Sequence, residues 1–510
     1  MGFLMQEVRA EVAARKPTSR STPRGHIPLQ TMKEMGCRVC PQKDCDAKRS
    51  RLDPEGPRSS DILVLWGSPT ESDGDRGRFG TGVAADEIIG EFKRHDVKVR
   101  QHGIIRCPTP DDRRPDLEEI ACCRGYVEAE IEEQKPRLIV SVGDDALKWV
   151  APFNKGNALA FRGRFMPVKV GRHVCWLMPL LYPNYAHKQK RKWKNEYELT
   201  TIHDVKAAVK FAETAPDPVF YEGPYDKDVT LVTGQEAGDF QRLEDRLHRL
   251  LGLPRIALDY ETNGLRPFMR DPKIWACAVG TFNDTVAFAV DHPDGWGTES
   301  RQRQVRGLLG EFILQSPLKF AHNLYFEQEW TNYFWGPRAL RLTDWEDTMC
   351  QAFTLDGREG TKGLGPQTRM AFGFDVKEQS PIDPARFIEY PIRDGLRYNG
   401  MDSKWTDKLS IHNDALLDEE PSLRDSYNRR VALIPALVLS TAKGVPVDQR
   451  YANNLLNEMS GTLREVERDL GKCPEVREYE RSRARPAPSN SSAPTASKPC
   501  ACAATAPAPM

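Results

Sequence analysis

Two hydrophobic patterns alternate through the N-terminal part of the chain. Uninterrupted apolar runs are typical of strands buried on both faces of a parallel sheet, and they occur at 61–67, 104–105 and 138–143. Segments with helical character lie between and after these runs, at 83–94, 117–134 and 145–150. Because strands alternate with helices, this part of the sequence predicts an α/β sandwich.

A different pattern begins after Gly252 and Pro254, where the segment 255–262 predicts a short strand. Side chains alternate along a strand, so Asp259 and Glu261 project from one face about 7 Å apart. Two neighbouring carboxylates repel each other unless a cation lies between them. A pair of solvated acids on an exposed strand face is the alternative.

Two further segments carry polar side chains at helical spacing. The apolar run 318–321 predicts a strand that leads into a helix bearing Asn323 and Glu327 four residues apart. Tyr398 and Asp402 have the same spacing, which places them on one face of a helix. A glycine at position 400 weakens that helix prediction slightly.

The order Asp-x-Glu, Asn-x3-acid and Tyr-x3-Asp across 250–410 resembles the 3′–5′ proofreading exonuclease of family A DNA polymerases, the tyrosine branch of the DEDD exonucleases. The resemblance implies a ribonuclease H-like fold. One position departs from the family, which usually has aspartate where this chain has Glu327. Asp347 is a fallback acid that we expect to be structural.

The resemblance also implies a two-metal site. Hydrolysis of a phosphodiester needs an activated water and neutralised charge on the attacking and leaving oxygens, and two divalent cations about 3.5–4 Å apart supply both. Carboxylate ligands suit Mg²⁺ or Mn²⁺. By resemblance, Asp259, Glu261 and Asp402 bind the first metal, and Asp259 and Glu327 serve the second. Tyr398 would orient the attacking water.

Twelve cysteines in a chain without a recognisable secretory signal favour metal ligation over disulfides. Cys37-x2-Cys40, Cys107 and Cys123, with their flanking residues, resemble the iron–sulfur uracil-DNA glycosylases over about 37–210. That resemblance implies a [4Fe–4S] cluster on these four thiolates. A zinc ion on the same thiolates is the alternative. Cys45 and Cys122 lie beside the pattern.

The loops that grip uracil in that family differ in this chain. The family's Gly-Glu-Ala-Pro-Gly corresponds to Trp-Gly-Ser-Pro-Thr at 66–70, which lacks the acid, although an aspartate follows at position 73. The family's His-Pro-Ser loop corresponds to a segment that begins with tyrosine. We therefore expect a pocket that excises uracil poorly or not at all. Its predicted residues are Gly67, Pro69, Asp73, Tyr182 and Pro183.

Local charge, rather than net charge, bears on nucleic-acid binding. The chain has 73 Lys+Arg and 73 Asp+Glu, so a partner of either sign must be attracted by local patches. The segment 187–194 is basic and contains a tryptophan, which suits phosphate contacts. A solvated charge run is the alternative. The residues predicted to contact DNA are Asn323, Lys188, Lys190, Arg191 and Lys192.

The expected fold is α/β, a uracil-DNA glycosylase-like α/β/α sandwich followed by a ribonuclease H-like 3′–5′ exonuclease domain. The expected segments are a basic arm (1–33), the glycosylase-like domain (34–212), a linker (213–250), the exonuclease domain (251–412), the helical start of a family A polymerase (413–480) and an Ala/Pro/Ser tail (481–510). We expect no templated synthesis by this chain alone, with a separate polypeptide as the potential polymerase partner. Without an apolar run of 18 residues, we expect no membrane span and a cytoplasmic location in a bacterium or phage-infected host.

The leading functional prediction is metal-dependent removal of nucleotides from single-stranded or frayed DNA 3′ ends. Two rival hypotheses remain open at this point. One is an active uracil-DNA glycosylase in base excision repair, and the other is a non-catalytic DNA-docking part of a split replicase. Release of mononucleotides, formation of abasic sites, and binding without turnover distinguish the three.

Overall fold

The computed structural model describes residues 28–44, 51–152, 157–182, 194–316, 318–341, 344–380 and 382–477. The chain divides into two compact units, Met1–Ala442 and Lys443–Met510. Both β-sheets belong to the first unit. No helix within the described ranges combines the length and apolar character needed to cross a lipid bilayer.

The first sheet is built from the apolar runs of the N-terminal part. Its strands are β1 (Ile62–Trp66), β2 (Arg100–Gly103), β3 (Leu138–Val142), β4 (Met166–Val170) and β5 (His173–Leu180), in the order β2-β1-β3-β5-β4. All neighbours are parallel except β4 and β5. Every residue of β1 and β3 is buried. Leu63 packs into the core on one face and Val64 into the core on the other, which explains the absence of polar alternation.

Helices cover both faces of this sheet and confirm the predicted sandwich. They are α1 (Leu29–Met35), α2 (Glu71–Arg76), α3 (Val83–Arg94), α4 (Leu117–Gln134), α5 (Gly143–Val150), α6 (Ala158–Phe161) and α7 (Lys194–Thr214). Apolar side chains of α3 and α7 share one core with the sheet, and those of α4 and α5 share the other. The helices predicted at 83–94 and 117–134 have the expected bounds.

The second sheet has six strands in the order β11-β10-β7-β8-β9-β6. They are β6 (Val229–Val232), β7 (Arg255–Thr262), β8 (Ile274–Thr281), β9 (Asp284–Ala289), β10 (Leu318–Ala321) and β11 (Trp345–Asp347). Strands β7, β8 and β9 form an antiparallel meander. Strands β10 and β11 add in parallel on the other side of β7. An antiparallel trio extended by two parallel strands beside its first member is the ribonuclease H-like arrangement, as expected.

The remaining helices are α8 (Asp239–Leu250), α9 (Glu299–Gln315), α10 (Leu324–Trp335), α11 (Arg338–Arg341), α12 (Thr348–Leu355), α13 (Leu364–Phe372), α14 (Ile392–Asp418), α15 (Pro421–Lys443) and α16 (Gln449–Leu470). The long helix α14 packs across β7, β8 and β9. Gly400 makes that packing possible, because a Cβ atom there would lie 2.4 Å from Val229 Cγ1. The glycine that weakens the helix prediction is therefore required by the close approach of the helix to the sheet.

Two local predictions differ from the structure. The second sheet begins before residue 251, because β6 lies within the segment expected to be a linker and pairs with β9. A four-residue strand with a central threonine carries too little pattern to be recognised alone. Asn323 is not on a helix. It precedes α10 with a left-handed φ of 81°, a conformation that asparagine tolerates better than most residues.

Candidate functional site

Strand β7 supplies the first two acids of the candidate metal centre. Asp259 and Glu261 are two residues apart on this strand, as the alternating pattern predicts. One ligand oxygen from each lies within 4.8 Å of the other and of a carboxylate oxygen of Asp402. Among the described residues, this is the only group of three or more potential metal ligands that is this compact.

Helix α14 brings the third acid to the strand. Tyr398 and Asp402 lie on this helix, in agreement with their predicted spacing. Asn399, which the sequence analysis did not select, donates from Nδ2 to Asp259 Oδ2 at 2.7 Å. Ser403 donates to the backbone oxygen of Ala257 at 3.2 Å. These two bonds fix the helix against β7 and set the direction of the Asp259 carboxylate.

Glu327 occupies the first turn of α10 and is 2% exposed. Its Oε2 is buried without a hydrogen-bond partner. Burial raises the pKa of Glu327 well above its usual value, and the charges of Asp259, Asp347 and Glu261 add to the rise. Glu327 is thus electrostatically part of the site, although it lies outside the compact group of three.

Asp347 has the structural character expected of it. It caps the N-terminus of α12, where its Oδ1 accepts a hydrogen bond from the backbone nitrogen of Met349 at 2.8 Å. The same oxygen accepts from the backbone nitrogen of Asn323 at 3.1 Å. This contact holds the turn between β10 and α10. The side chain of Asn323 is exposed, so its predicted contact with DNA stays a prediction.

Lys377 is a site residue that the sequence analysis missed. It lies on a short 3-10 turn (Val376–Glu378) and forms an ion pair with Asp402. Its Nζ also donates to the Tyr398 hydroxyl at 2.6 Å. Nothing in the sequence marks Lys377 as a site residue, because its turn has no periodic pattern. Lys377 also lies 25 residues from Asp402 in the sequence. A lone lysine in a loop is indistinguishable from a solvated one.

The site as a whole has an excess of negative charge. Burial raises the pKa of Asp259 to about 8, with a further contribution from the charge of Asp402. Burial and the neighbouring acids likewise raise the pKa of Glu261. Lys377 lowers the pKa of Asp402 without fully offsetting its burial. One cation among four acids leaves carboxylate oxygens to be satisfied, and Asp402 Oδ1 has no hydrogen-bond partner.

The donor set fits a hard divalent cation. Buried carboxylate oxygens that face one another are the ligands that Mg²⁺ and Mn²⁺ favour. The two partnerless oxygens, on Glu327 and Asp402, would gain a ligand from such an ion or from its water shell. The residues predicted from the sequence to hold metal are therefore compatible with that role in both chemistry and placement.

The predicted ligand Cys123 lies on helix α4, near the other three predicted cysteine ligands. Cys40 and Cys122 are hydrogen-bonded through their side chains, and burial raises the pKa of both thiols. Burial raises the pKa of Cys123 to about 12, with contributions from the charges of Cys107, Cys40 and Cys37. Cys37 Sγ accepts a hydrogen bond from Arg51 at 3.8 Å. The charges of the other three predicted ligands thus act on Cys123, and Cys122 is a fifth thiol beside Cys40.

A cavity of about 520 Å³ lies where the predicted uracil pocket was expected. Gly67, Pro69 and Tyr182 line it, together with Gly143 and Asp145. Burial, then the charges of nearby aspartates, raises the pKa of Tyr182. Its phenol therefore stays neutral and able to donate a hydrogen bond.

Asp73 does not serve as the missing acid of this cavity. Its Oδ2 accepts hydrogen bonds from the backbone nitrogen and the hydroxyl of Thr70, at 2.9 and 2.8 Å. Its Oδ1 accepts from the corresponding atoms of Thr81, at 2.8 and 2.6 Å. Because all four contacts hold local structure, rotation of this carboxylate towards a substrate would break a capping box and a loop. These contacts argue against a pocket role for Asp73, which stays a prediction.

Several predicted DNA contacts lie outside the described residues. They are Lys188, Lys190, Arg191 and Lys192. The predicted pocket residue Pro183 also lies outside them.

Comparison with known proteins matches part of the N-terminal domain to one family. Residues 83–206 match the family model described as the uracil DNA glycosylase superfamily. The type-4 uracil-DNA glycosylase of Thermotoga maritima is 27% identical over 162 residues, which are 31% of this chain and 80% of that protein.

Two DNA polymerases are also similar to this chain. The DNA polymerase I of Chloroflexus aurantiacus is 28% identical over 232 residues, covering 42% of this chain and 23% of that protein. The DNA polymerase of Bacillus phage SP01 is 23% identical over 305 residues, covering 54% of this chain and 31% of that protein. The chain thus spans between about a quarter and a third of the length of these two relatives.

The similar solved structures superpose on this chain with low TM-scores. The structure described as the apo form of the nuclease has a TM-score of 0.32 at 18% identity, covering 42% of this chain and 94% of that chain. Escherichia coli RNase D has a TM-score of 0.29 at 20% identity, covering 42% and 51%. The ribonuclease H-like fold follows from the strand order described above and does not depend on these scores.

Proposed function

We propose that this chain is a metal-dependent nuclease that removes nucleotides from the 3′ ends of DNA. The observation that carries the proposal is the convergence of Asp259, Glu261 and Asp402 within 4.8 Å on a ribonuclease H-like sheet. Glu327 and Tyr398 extend the site to the full set expected from the motif order. The DNA polymerases and glycosylases among its relatives support DNA as the substrate.

Each residue has a defined part in the proposed chemistry. Asp259, Glu261 and Asp402 would hold one Mg²⁺ or Mn²⁺, and Asp259 with Glu327 a second. When bound, such ions lower the pKa of a water and neutralise charge on the transferring phosphate. Asn399 orients the Asp259 carboxylate through its 2.7 Å hydrogen bond. The Tyr398 hydroxyl lies at the site, where it can donate a hydrogen bond to the attacking water or accept one from it.

The direct test is release of nucleotides from a single-stranded DNA oligonucleotide in Mg²⁺, with EDTA as the negative condition. We expect mononucleotides in Mg²⁺ and none in EDTA, with slower release from a blunt duplex, because paired ends must melt before the strand enters. Two further substrates are tested in the same way, a single-stranded RNA and a circular single-stranded DNA. Cleavage of the circle would contradict an end-directed activity, and a faster rate on RNA would contradict DNA as the substrate.

Glu327 offers a test of whether its charge or its shape matters. Glu327→Gln keeps the shape and removes the charge, so we expect about a 10- to 100-fold loss of Mg²⁺-dependent turnover, as for groups that support a metal site. Glu327→Asp restores the family's usual residue, and we expect it to preserve or raise the rate. Initial rates over a Mg²⁺ titration measure both. Equal losses in the two variants would contradict the proposed role.

We further propose that the N-terminal domain binds a [4Fe–4S] cluster through Cys37, Cys40, Cys107 and Cys123. The resemblance of the cysteine pattern to the iron–sulfur uracil-DNA glycosylases supports this choice. A zinc ion on the same thiolates is the alternative.

Serine variants test this ligand set. We expect purified protein to be brown and Cys37→Ser and Cys123→Ser to lose iron and colour, because each removes a thiolate ligand. Cys122→Ser should retain the cluster, and the exposed Cys473 provides a matched Cys473→Ser control. Iron and zinc contents per chain are the measurement. Colourless protein with one zinc per chain would refute the cluster, and iron loss only in Cys122→Ser would reassign the fourth ligand.

The same domain is expected to excise uracil poorly. Asp73 is held by four local hydrogen bonds, and a neutral tyrosine stands where the family has histidine. Removal of one catalytic hydrogen-bond donor costs about 10²–10³-fold in other active sites. We therefore expect excision at least about 10²-fold slower than by the Thermotoga maritima glycosylase. Alkali-sensitive cleavage of a uracil-containing oligonucleotide measures it, and comparable rates would overturn this view.

A further inference from the structure

A cleft of about 1240 Å³ leads to the carboxylate site from between the two sheets. Leu159, Ala160 and Arg162 of the N-terminal domain form one wall. The loop before α13, residues 358–363, forms part of the opposite wall. Lys377 and Tyr398 also line the cleft, so it is continuous with the candidate metal centre.

The smaller cavity beside Tyr182 is adjacent to the same cleft. Asn157 and Leu159 line both spaces. Asn157 Oδ1 accepts a hydrogen bond from the backbone nitrogen of Ala160 at 3.0 Å, and Asp144 Oδ1 accepts from that of Ala158 at 2.7 Å. The boundary between the glycosylase-like cavity and the cleft is thus a single hydrogen-bonded turn.

Half-buried charges join the two walls of the cleft. Arg164 of the N-terminal domain and Arg358 of the opposite loop both form ion pairs with Asp356. Arg358 Nη1 also donates to the backbone oxygen of Arg162 at 2.6 Å. Two guanidinium groups that share one carboxylate leave an excess positive charge beside the cleft.

The rim adds a further cation and an acid. Lys362 is half-buried, with its Nζ 4.5 Å from the centre of the Phe353 ring, and no carboxylate in the described ranges forms an ion pair with it. Glu359, on the same loop, is exposed. Two other acids of the cleft, Asp375 and Glu378, share the single guanidinium of Arg369. The loop therefore presents Lys362 to an anionic ligand, with Glu359 opposing it.

We infer that the cleft and the Tyr182 cavity form one track for a single DNA strand. Its 3′ end would lie at the carboxylates, its phosphates would pass Lys362, and one upstream base would enter the cavity beside Tyr182. This inference rests on the proposed nuclease function for the position of the 3′ end. It gives the N-terminal domain a positioning role that needs no base excision.

The chemistry of the track favours a single strand. Phosphates are attracted by lysine and arginine in a groove. A base enters a cavity only when it is free of its stack, which costs least in a single strand. A cavity of about 520 Å³ accommodates a base, and an aromatic ring such as that of Tyr182 supplies a stacking face.

The test measures binding of the full chain to single-stranded oligonucleotides of about 4 to 16 nucleotides, by fluorescence anisotropy with Ca²⁺ replacing Mg²⁺ to suppress hydrolysis. We expect affinity to rise with length to a plateau. Lys362→Gln should weaken binding of the longest oligonucleotide several-fold and reduce the slope of log K against log salt by about 0.7, the value for one phosphate contact. Glu359→Gln should strengthen binding, and the exposed lysine variant Lys93→Gln serves as a control.

A scan with a single abasic site locates the bound base. We expect one internal position at which base removal weakens binding by about 5- to 150-fold, the range for one stacked base. In Tyr182→Ala that penalty should disappear. The inference would be overturned if affinity depended neither on oligonucleotide length nor on Lys362. It would also be overturned if the abasic scan found no such position, or if duplex DNA bound more tightly. Absence of mononucleotide release in Mg²⁺ with length-dependent binding intact would instead overturn the proposed nuclease.

Discussion

Asp402→Asn and Asp259→Asn should each lower nuclease kcat/KM by at least about 10³-fold. Each change removes a charged ligand from the compact group of three carboxylates, while amide and acid have nearly the same shape. A bound metal stabilises the transition state by several kcal/mol, and each 1.36 kcal/mol is a factor of ten in rate. Single-turnover rates on a single-stranded oligonucleotide at saturating Mg²⁺ are the measurement.

Asp394→Asn is the matched control for these variants. Asp394 lies on the same helix, α14, but its side chain is 49% exposed and pairs with Arg397. We expect a rate close to that of the unmodified chain. Near-normal turnover in Asp402→Asn, or an equal loss in Asp394→Asn, would contradict the assignment of the metal ligands.

Lys377→Met should destabilise the metal-free protein and have little effect on stability once Mg²⁺ is bound. Removal of one partner from a buried ion pair costs about 3–5 kcal/mol. The Lys377 side chain is 39% exposed, which reduces the expected loss to about 2 kcal/mol, or about 4–8 °C in Tm for a domain of this size. A divalent cation replaces the missing positive charge, so Mg²⁺ should close the gap.

The effect of Lys377→Met should also depend on pH. In the metal-free site burial and mutual repulsion raise the pKa of Asp259 to about 8 and raise that of Asp402. When folding raises the pKa of a carboxyl group, the protein loses stability as pH rises from the group's pKa in the unfolded state towards its pKa in the folded state. The Tm deficit in EDTA should therefore be large at pH 8 and small at pH 5, where protonated acids need no ammonium.

Thermal melts in EDTA and in Mg²⁺ at both pH values measure this, with Lys93→Met as the matched substitution of an exposed lysine. We also expect Lys377→Met to reach half-maximal Mg²⁺ stabilisation at a lower concentration, because the ammonium no longer competes for Asp402. A deficit that is the same in EDTA and Mg²⁺ would indicate a purely structural role for Lys377.

The acids of the site were predictable because they follow secondary-structure periods. Asp259 and Glu261 share a face through the two-residue period of a strand, and Tyr398 and Asp402 through the spacing of a helix. Lys377 follows no period. It reaches Asp402 from a loop turn, and only the folded chain shows that contact. The strand β6 was likewise hidden, because its pairing with β9 rather than its sequence defines it.

In the glycosylase-like loops, the sequence shows which residues are replaced but not whether another residue compensates. Glycine in place of the family's acid at position 67 is visible in the sequence, and so is the replacement of histidine by Tyr182. Whether Asp73 compensates is not visible, because any nearby carboxylate looks equally available. Its four hydrogen bonds to Thr70 and Thr81 argue against compensation and are seen only in the folded chain. Whether a carboxylate already has all its hydrogen bonds depends on the fold and cannot be read from the spacing of residues in the sequence.

The most direct measurement compares one DNA oligonucleotide labelled at its 5′ end with the same oligonucleotide labelled at its 3′ end, during digestion by the full chain in Mg²⁺. Hydrolysis from the 3′ end predicts a descending ladder from the 5′ label and labelled mononucleotide as the first product from the 3′ label. Both products should be absent in EDTA and in Asp402→Asn. Mononucleotide released first from the 5′ label, or internal fragments from both labels, would contradict a 3′–5′ exonuclease.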